Sequence, residues 1–421
     1  MTDNFPMTDH PAPVAVTGVG VISPIGVGRQ AFWSALCEGR SGIVSLAGAD
    51  EVPRVAAPIT DFSPGEWIRS AHLRRMDKLS RWVVAAAQMA LDDAGVRMDV
   101  VPPERVGVVV GSGIGNIGES VQYLERLFTK GPTLASPMMF PNLVLNAPAS
   151  YTAMDVGCTG ANLTVSQGEI SGETAVALGC ELVRNGRAEV VLAGGADELD
   201  AIVISAYRAY RALSSQRGGV EWSSPYDVER NGVVLGEGAA MLVLESATEA
   251  HRRGATVYAV IEDHFAGAVP SPTYDWPAHA AAAVAPLRRF LNAAEALRTT
   301  SGAPVDLVCG GANSSRRLDA CELEVLAGLF AETASSPTLT SIKGAIGEFA
   351  AAGALTAAAA CLALYHGVVP PLCNLRQAPP TSPFQFAGRA GARRRLRGAL
   401  VFSMARGGAM IALRLRRAEE R

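Results

Sequence analysis

Runs of apolar, β-branched residues alternate along this chain with stretches of helical spacing. Residues 14–18 (VAVTG) read as a buried strand ending in a glycine turn, and residues 29–39 as a helix. Residues 76–95 show a long amphipathic repeat closed by a glycine, as at a helix C-terminus. A β-branched strand at 105–110 runs into the loop Gly111-Ser112-Gly113. After a helix at 171–184, residues 189–195 (EVVLAGG) repeat the strand-into-glycine form. Two more strands are predicted at 239–245 and 255–262. A second set follows: a strand at 305–309, helices at 320–331 and 350–365, and strands at 399–403 and 410–415. Continuous apolar strands separated by helices predict an α/β fold with a layered sheet covered on both faces. No tandem repeat at a fixed period is visible. The pattern thins between 265 and 286, which places the boundary between an N-terminal half (13–264) and a C-terminal half (265–421), after a flexible tail at 1–12.

The 421 residues exceed one small domain, and 49% hydrophobic, 18% charged residues and 43 glycines suit a large core with many tight turns. With 37 basic and 40 acidic residues the formal charge is −3, which argues against a nucleic-acid partner. Seven scattered cysteines, without a CxxC pair, read as reduced thiols rather than a metal site or disulfide framework. The first dozen residues lack the blocks of a signal peptide. The most apolar stretch, 350–364, is short for a bilayer, which needs about 20 residues, so it reads as a buried helix. A cytoplasmic protein with no membrane partner is the expectation. The run 393–397 (RRRLR) reads as a solvated basic face.

Five segments carry a resemblance: 14–43 (VAVTGVGVISPIGVGRQAFWSALCEGRSGI), 74–95 (RRMDKLSRWVVAAAQMALDDAG), 189–198 (EVVLAGGADE), 225–245 (PYDVERNGVVLGEGAAMLVLE) and 366–375 (HGVVPPLCNL). In order and spacing the chain resembles the elongating β-ketoacyl-ACP synthases. The resemblance implies the thiolase fold, two similar α/β halves stacked in five layers (α-β-α-β-α), normally as a dimer, and no cofactor or metal. It also implies a cysteine nucleophile at the start of a buried helix, where the dipole favours thiolate. Two histidines assist decarboxylation, and a lysine and a glutamate organise the surroundings.

Matched motifs locate these positions. Twenty-six residues before Gly195, in the segment GANLTVSQGEISG, the nucleophile position holds Glu169. The first histidine position, eight residues before Asp319 and eleven before Glu322, is Gly311; the second, five after Lys343 in Ser341-Ile342-Lys343, is Glu348. Lys343 and Glu322 match; the Cys-His-His triad does not. None of the six histidines (10, 72, 251, 264, 279 and 366) falls in a matched catalytic segment, and Cys158 and Cys180 read as small buried residues. No catalytic residue is therefore expected. A carboxylate is a poor acyl acceptor, because a mixed anhydride is far more labile than a thioester.

The resemblance is strongest to the chain length factor of type II polyketide systems. That non-catalytic paralogue pairs with an active synthase, carries glutamine at the nucleophile position, and shapes the acyl tunnel; here the residue is Glu169. In ALVFSMARGGAM, Met404 stands for the gating aromatic and Arg406 for the second phenylalanine of the active enzymes' segment. The implied partners are an active ketosynthase and acyl carrier protein, with a homodimer left open.

Two readings of Glu169 stay open. In one it mimics a carboxylate or acylated thiol and drives malonyl decarboxylation, or pairs with a group from the partner; in the other the site is closed and Glu169 caps the helix or pairs with Lys343. Glu348 and Lys343 are near enough in sequence to pair. The exposed pair Arg74 and Arg75, expected on a helix, matches a basic pair that docks acidic carrier protein. Residues 140–153 match family residues near the subunit interface, and equally suit a core. The GxGxxG at 111–118 suggests a dinucleotide loop, but no acidic residue ends a second strand about 20 residues on.

Overall fold

The computed structural model describes all residues except 1–12, 47–52, 69–72, 217, 297–302, 332–335, 381–382, 389 and 419–421, and side-chain surroundings are also left aside for 293–296. The tail expected at 1–12 lies outside the described residues. Ten of the twelve strands described in the main sheet form the frame. Five lie in the N-terminal half: β1 (Val14–Ser23), β2 (Val106–Gly111), β3 (Asn162–Val165), β4 (Val190–Asp197) and β5 (Gly238–Ser246). Five lie in the C-terminal half: β6 (Ala259–Ala268), β7 (Val305–Gly310), β8 (Thr338–Thr340), β9 (Gly398–Met404) and β10 (Ala409–Arg416). In space the first half runs β1-β5-β4-β2-β3 and the second β6-β10-β9-β7-β8. In both, the first two pairings are antiparallel and the next two parallel. The halves are one topology used twice, although their sequences show no repeat.

β1 and β6 pair antiparallel through Val14–Ile261, Ala15–Val260 and Val16–Ala259, joining the halves edge to edge. β6 thus bridges the halves, pairing with β1 at 259–261 and with β10 along 260–268. The glycines within β1 and β4 correct the sequence reading. They do not end the strands but let neighbouring backbone approach: a Cβ on Gly18 would lie 2.0 Å from the Ala90 carbonyl oxygen, and one on Gly194 1.9 Å from that of Ala240.

The labelled helices are α1 (Arg29–Cys37), α2 (Lys78–Ala94), α3 (Ile117–Lys130), α4 (Ala147–Val156), α5 (Ser171–Arg184), α6 (Ala201–Ala209), α7 (Val284–Ala296), α8 (Arg316–Phe330) and α9 (Ala352–His366). α2 covers the outer face of the first half. It begins two residues later than expected, because Asp77 caps it by accepting the Ser80 N–H at 2.8 Å. α5 and α9 pack on each other and on strands of both halves, forming the buried central layer. Of the fifteen residues of α9, only Tyr365 and His366 are not buried. A helix apolar all round belongs in the middle of a protein, which explains the alanine-rich stretch. Among the described residues no helix is long and apolar enough to cross a membrane.

Candidate functional site

The start of α5, the turn after Lys343 and the turn after β9 meet where the two halves face each other. Glu169 sits in the turn before α5 and is 7% exposed. It does not cap that helix; the cap position is Ile170, which offers no side-chain bond. It does not pair with Lys343 either. Its Oε1 accepts from the Arg406 guanidinium and its Oε2 from the Arg406 backbone N–H at 3.1 Å. The same guanidinium lies 4.2 Å from the Trp276 ring centre and 5.2 Å from that of Tyr207. Glu169 is thus held in an ion pair whose guanidinium packs against two aromatic rings. Outside this plug is an open pocket of about 220 Å³, lined by Trp276 and Arg406 together with Arg211, Arg316 and Arg317. Arg317 is itself paired with Asp275.

Deeper in, Lys343 Nζ lies 2.9 Å from Glu348 Oε2, both side chains almost wholly buried. The contact is close, but its angle leaves both carboxylate oxygens without a well-directed hydrogen bond. Burial pulls the Lys343 ammonium down, and Glu348, Glu173 and Glu169 more than offset this, so the net direction is upward. Backbone bonds fix Glu348: its N–H donates to Val234 at 2.8 Å, and its carbonyl accepts from Gly236 at 3.0 Å.

Glu173, one turn along α5 from Glu169, joins this cluster and is absent from the sequence reading. It is fully buried, and neither oxygen has a hydrogen-bond partner. Burial pushes its carboxyl above the usual carboxylate range, making it a weaker acid; the nearby Ser403 hydroxyl and Lys343 oppose that only partly. The carboxyl lies so close to α9 that a Cβ on Gly353 would meet it at 1.7 Å.

Gly311 follows β7, and its N–H donates to Glu322 Oε1 at 2.8 Å. The space a Cβ would open there is taken by Ser403, whose Oγ would be 2.7 Å away. Beside it, a Cβ on Gly310 would lie 2.0 Å from the Tyr226 hydroxyl and 2.6 Å from Glu322 Oε1. Desolvation, with a smaller push from Asp319, lifts Glu322 to about 8. Met404 ends β9, buried, with its sulfur 3.9 Å from Cys321 Sγ.

The structure therefore brings Glu169, Glu348, Lys343 and Arg406 into one cluster, with Glu322, Gly311 and Met404 behind it, and no histidine among them. Cys158 and Cys180 are buried. Arg74 and Arg75 stand apart. They are exposed, but in the turn before α2 rather than on it, since Asp77 sets the helix start. The Arg75 carbonyl accepts from Asn142 Nδ2 at 2.9 Å and Tyr151 Oη at 3.2 Å, tying this turn to the 140–153 segment. In that segment Phe140 is 60% exposed, so it is surface rather than core.

The glycine loop 111–118 is already filled. The Asp197 carboxylate accepts from the Ser112 hydroxyl at 2.7 Å, from the Gly113 and Ile114 N–H groups, and from Ala351 N–H at 2.7 Å. The N–H groups that would hold a pyrophosphate are spent on a side chain. Among the described residues no group of three or more His, Cys, Asp or Glu is placed to hold a metal ion.

Of the residues missed, Tyr226 lay in a quoted motif and Glu173 lay one turn from Glu169. Tyr207 and Trp276 gave no signal, since neither segment carries a motif.

Two α/β halves of one topology, with paired central helices and a reactive-position residue at the start of one, define a thiolase-fold condensing-enzyme scaffold. The chain belongs to the β-ketoacyl synthase family: residues 12–250 match its N-terminal domain and residues 258–376 its C-terminal domain. It is 32% identical over 428 residues to the tetracenomycin polyketide synthase ketoacyl synthase alpha subunit of Streptomyces glaucescens, covering 97% of each chain. It is 31% identical over 373 residues to 3-oxoacyl-(acyl-carrier-protein) synthase 2 of Vibrio harveyi, covering 86% of this chain and 88% of that one. Among solved structures, the ishigamide ketosynthase/chain length factor superposes with a TM-score of 0.87 at 26% identity, over 97% of this chain and 100% of that one. A ketosynthase bound to the hexaketide, in complex with its type II polyketide acyl-carrier protein, superposes with a TM-score of 0.86 at 26% identity and the same coverage.

Proposed function

We propose that this chain is a condensation-silent ketosynthase-like subunit that pairs with an active, cysteine-bearing ketosynthase and bounds the acyl chamber in type II polyketide biosynthesis. One observation supports the reading: Glu169, at the position the resemblance gives to the nucleophile, is locked to Arg406 against Trp276 and Tyr207. Such a site offers neither a thiol to acylate nor an imidazole to polarise a thioester.

The surface supports a partner. Phe128 near the end of α3, and Leu134, Met138, Phe140, Val144 and Leu145 between α3 and α4, are large, apolar and exposed. α3 has no buried residue. β3 follows as an edge strand with Leu163 40% exposed. A patch of this kind beside an open strand edge marks an interaction face. Carrier protein would approach through Arg74 and Arg75 or through the arginine-lined pocket outside the plug, with its acidic surface steered by these cations.

The test is co-purification with candidate synthases carrying the full triad. A 1:1 complex that condenses, with this chain inert alone, supports the reading. Turnover of malonyl-carrier protein by the purified chain, abolished by Glu169→Ala, would replace it with a decarboxylase.

A further inference from the structure

The central helix α9 has one end in the degenerate site, where Gly353 touches Glu173, and the other at the surface. Fifteen residues at about 1.5 Å each put these ends roughly 21 Å apart. At the far end the backbone turns at Gly367 and forms a short antiparallel ribbon, Val368–Val369 with Ala392–Arg393. Two bonds clamp the ribbon. Arg394 N–H donates to the Gly367 carbonyl at 2.9 Å, and Gly391 N–H to the Cys37 carbonyl at 3.1 Å. Leu396, 1% exposed, anchors it below. The clamp holds the backbone that carries Arg393, Arg394 and Arg395, all three of them exposed. Arg394 reaches only the Gln385 amide oxygen at 3.3 Å, and among the described residues no ion pair engages Arg393 or Arg395. In the same run Arg397 is different, since Asp306 neutralises it at 2.8 Å.

An aromatic ladder ends beside the ribbon. His366 stacks on Trp33 with ring centres 5.2 Å apart at 16°, and Tyr365 meets His366 edge-on at 5.0 Å. Tyr365 is 42% exposed and leans in turn on Tyr258 at 5.1 Å. Fixed arginines beside a rigid, part-exposed aromatic shelf combine the two residue types that dominate binding hot spots.

We propose that residues 391–395 and the Trp33–His366–Tyr365 shelf form a docking surface for an acidic protein segment that presents several carboxylates and one aromatic side chain. Planar guanidinium groups match carboxylates bidentately, and the shelf supplies a face for the aromatic. A membrane fits less well, because among the described residues Tyr365 is the one large, mainly apolar side chain exposed beside these arginines. Nucleic acid fits poorly with a chain of net charge −3. The surface shares no residue with the apolar face at 114–163, so it stands or falls independently of the subunit reading.

The probe is a fluorescein-labelled peptide of glutamates around one central tryptophan, with a second peptide in which alanine replaces the tryptophan. Fluorescence anisotropy on the full chain should show salt-sensitive binding of the first peptide. R393E/R394E/R395E should weaken it at least about tenfold, with an unchanged melting temperature. Tyr365→Ala should weaken the tryptophan peptide several-fold and leave the alanine peptide unmoved, a split that diffuse charge attraction does not produce. Binding that survives the triple reversal overturns the proposal. So does a Tyr365→Ala variant that treats both peptides alike, or phosphatidylglycerol vesicles that outcompete the peptide at the same arginines.

Discussion

Two ion pairs share the buried cluster between the halves, and they differ in kind. Lys343–Glu348 is sealed, with side chains 3% and 1% exposed, and its carboxylate residue is stitched by backbone bonds to 234–236. Glu169–Arg406 lies nearer the surface, with Arg406 21% exposed beside an open pocket. The first is framework: removing either charge strands the other in a low-dielectric core that already holds Glu173. The second is a stopper: it joins two turns 237 positions apart, and water can reach its outer half. A carboxylate as buried as Glu169 must be neutralised, and Arg406 does so from the side of the outer pocket.

The sharpest way to break this contrast is to remove each cation in turn. Lys343→Met leaves Glu348 and Glu173 without compensation, and should destabilise the chain by about 3–5 kcal/mol in urea denaturation. Arg406→Met should cost clearly less, because solvent can hydrate Glu169. The double change Lys343→Met with Glu348→Leu should recover most of the loss, since an apolar pair of similar volume needs no charge balance. Equal costs for the two single variants would erase the distinction between framework and stopper.

Glu322 sharpens the same comparison through pH. Its folded-state value, about 8, lies above the ordinary carboxylate value of 4.5. Protonated Glu322 therefore favours the fold, and its contribution is complete below about pH 4.5 and is lost as pH rises toward 8. Glu322→Gln keeps a carbonyl oxygen for the Gly311 N–H but cannot ionise. It should flatten the decline in stability between pH 5 and pH 8 by on the order of 2–4 kcal/mol. Parallel profiles for the two proteins would show that Glu322 does not carry that proton in the fold.

Much of this architecture is written in local pattern, and the chemistry of the plug is not. Strands such as β2 and β7, continuous in valine and leucine, are legible because a sheet buried on both faces needs apolar side chains at every position. α9 is legible because its apolar run is too long for a strand and too short for a bilayer. The glycines of β1 and β4 mislead, since a glycine that admits a neighbouring backbone looks in sequence like one that makes a turn. The duplication is hidden because pairing order is conserved between the halves while the sequence is not periodic. Glu169, Lys343 and Glu348 are found by counting from motifs. The partner of Glu169 could not be, because nothing local distinguishes Arg406 from Lys343 as its counter-ion. Trp276 and Tyr207 become part of the site only when the halves close.

The smallest expected effect tests the stopper directly. Glu169→Cys places a thiol at the start of α5, where the helix dipole favours thiolate. With Arg406 still stacked between Trp276 and Tyr207, iodoacetamide should label that thiol slowly. Adding Arg406→Ala opens the route from the outer pocket, and the labelling rate, read by mass spectrometry of the Glu169→Cys peptide, should rise about tenfold, or about 1.4 kcal/mol of barrier. On the proposed reading neither variant should condense acyl chains, because Gly311 and Glu348 bring no imidazole to the cluster. Equal labelling in both would mean that the arginine neutralises Glu169 without closing the site, and the protection would then have to come from Trp276 and Tyr207 alone.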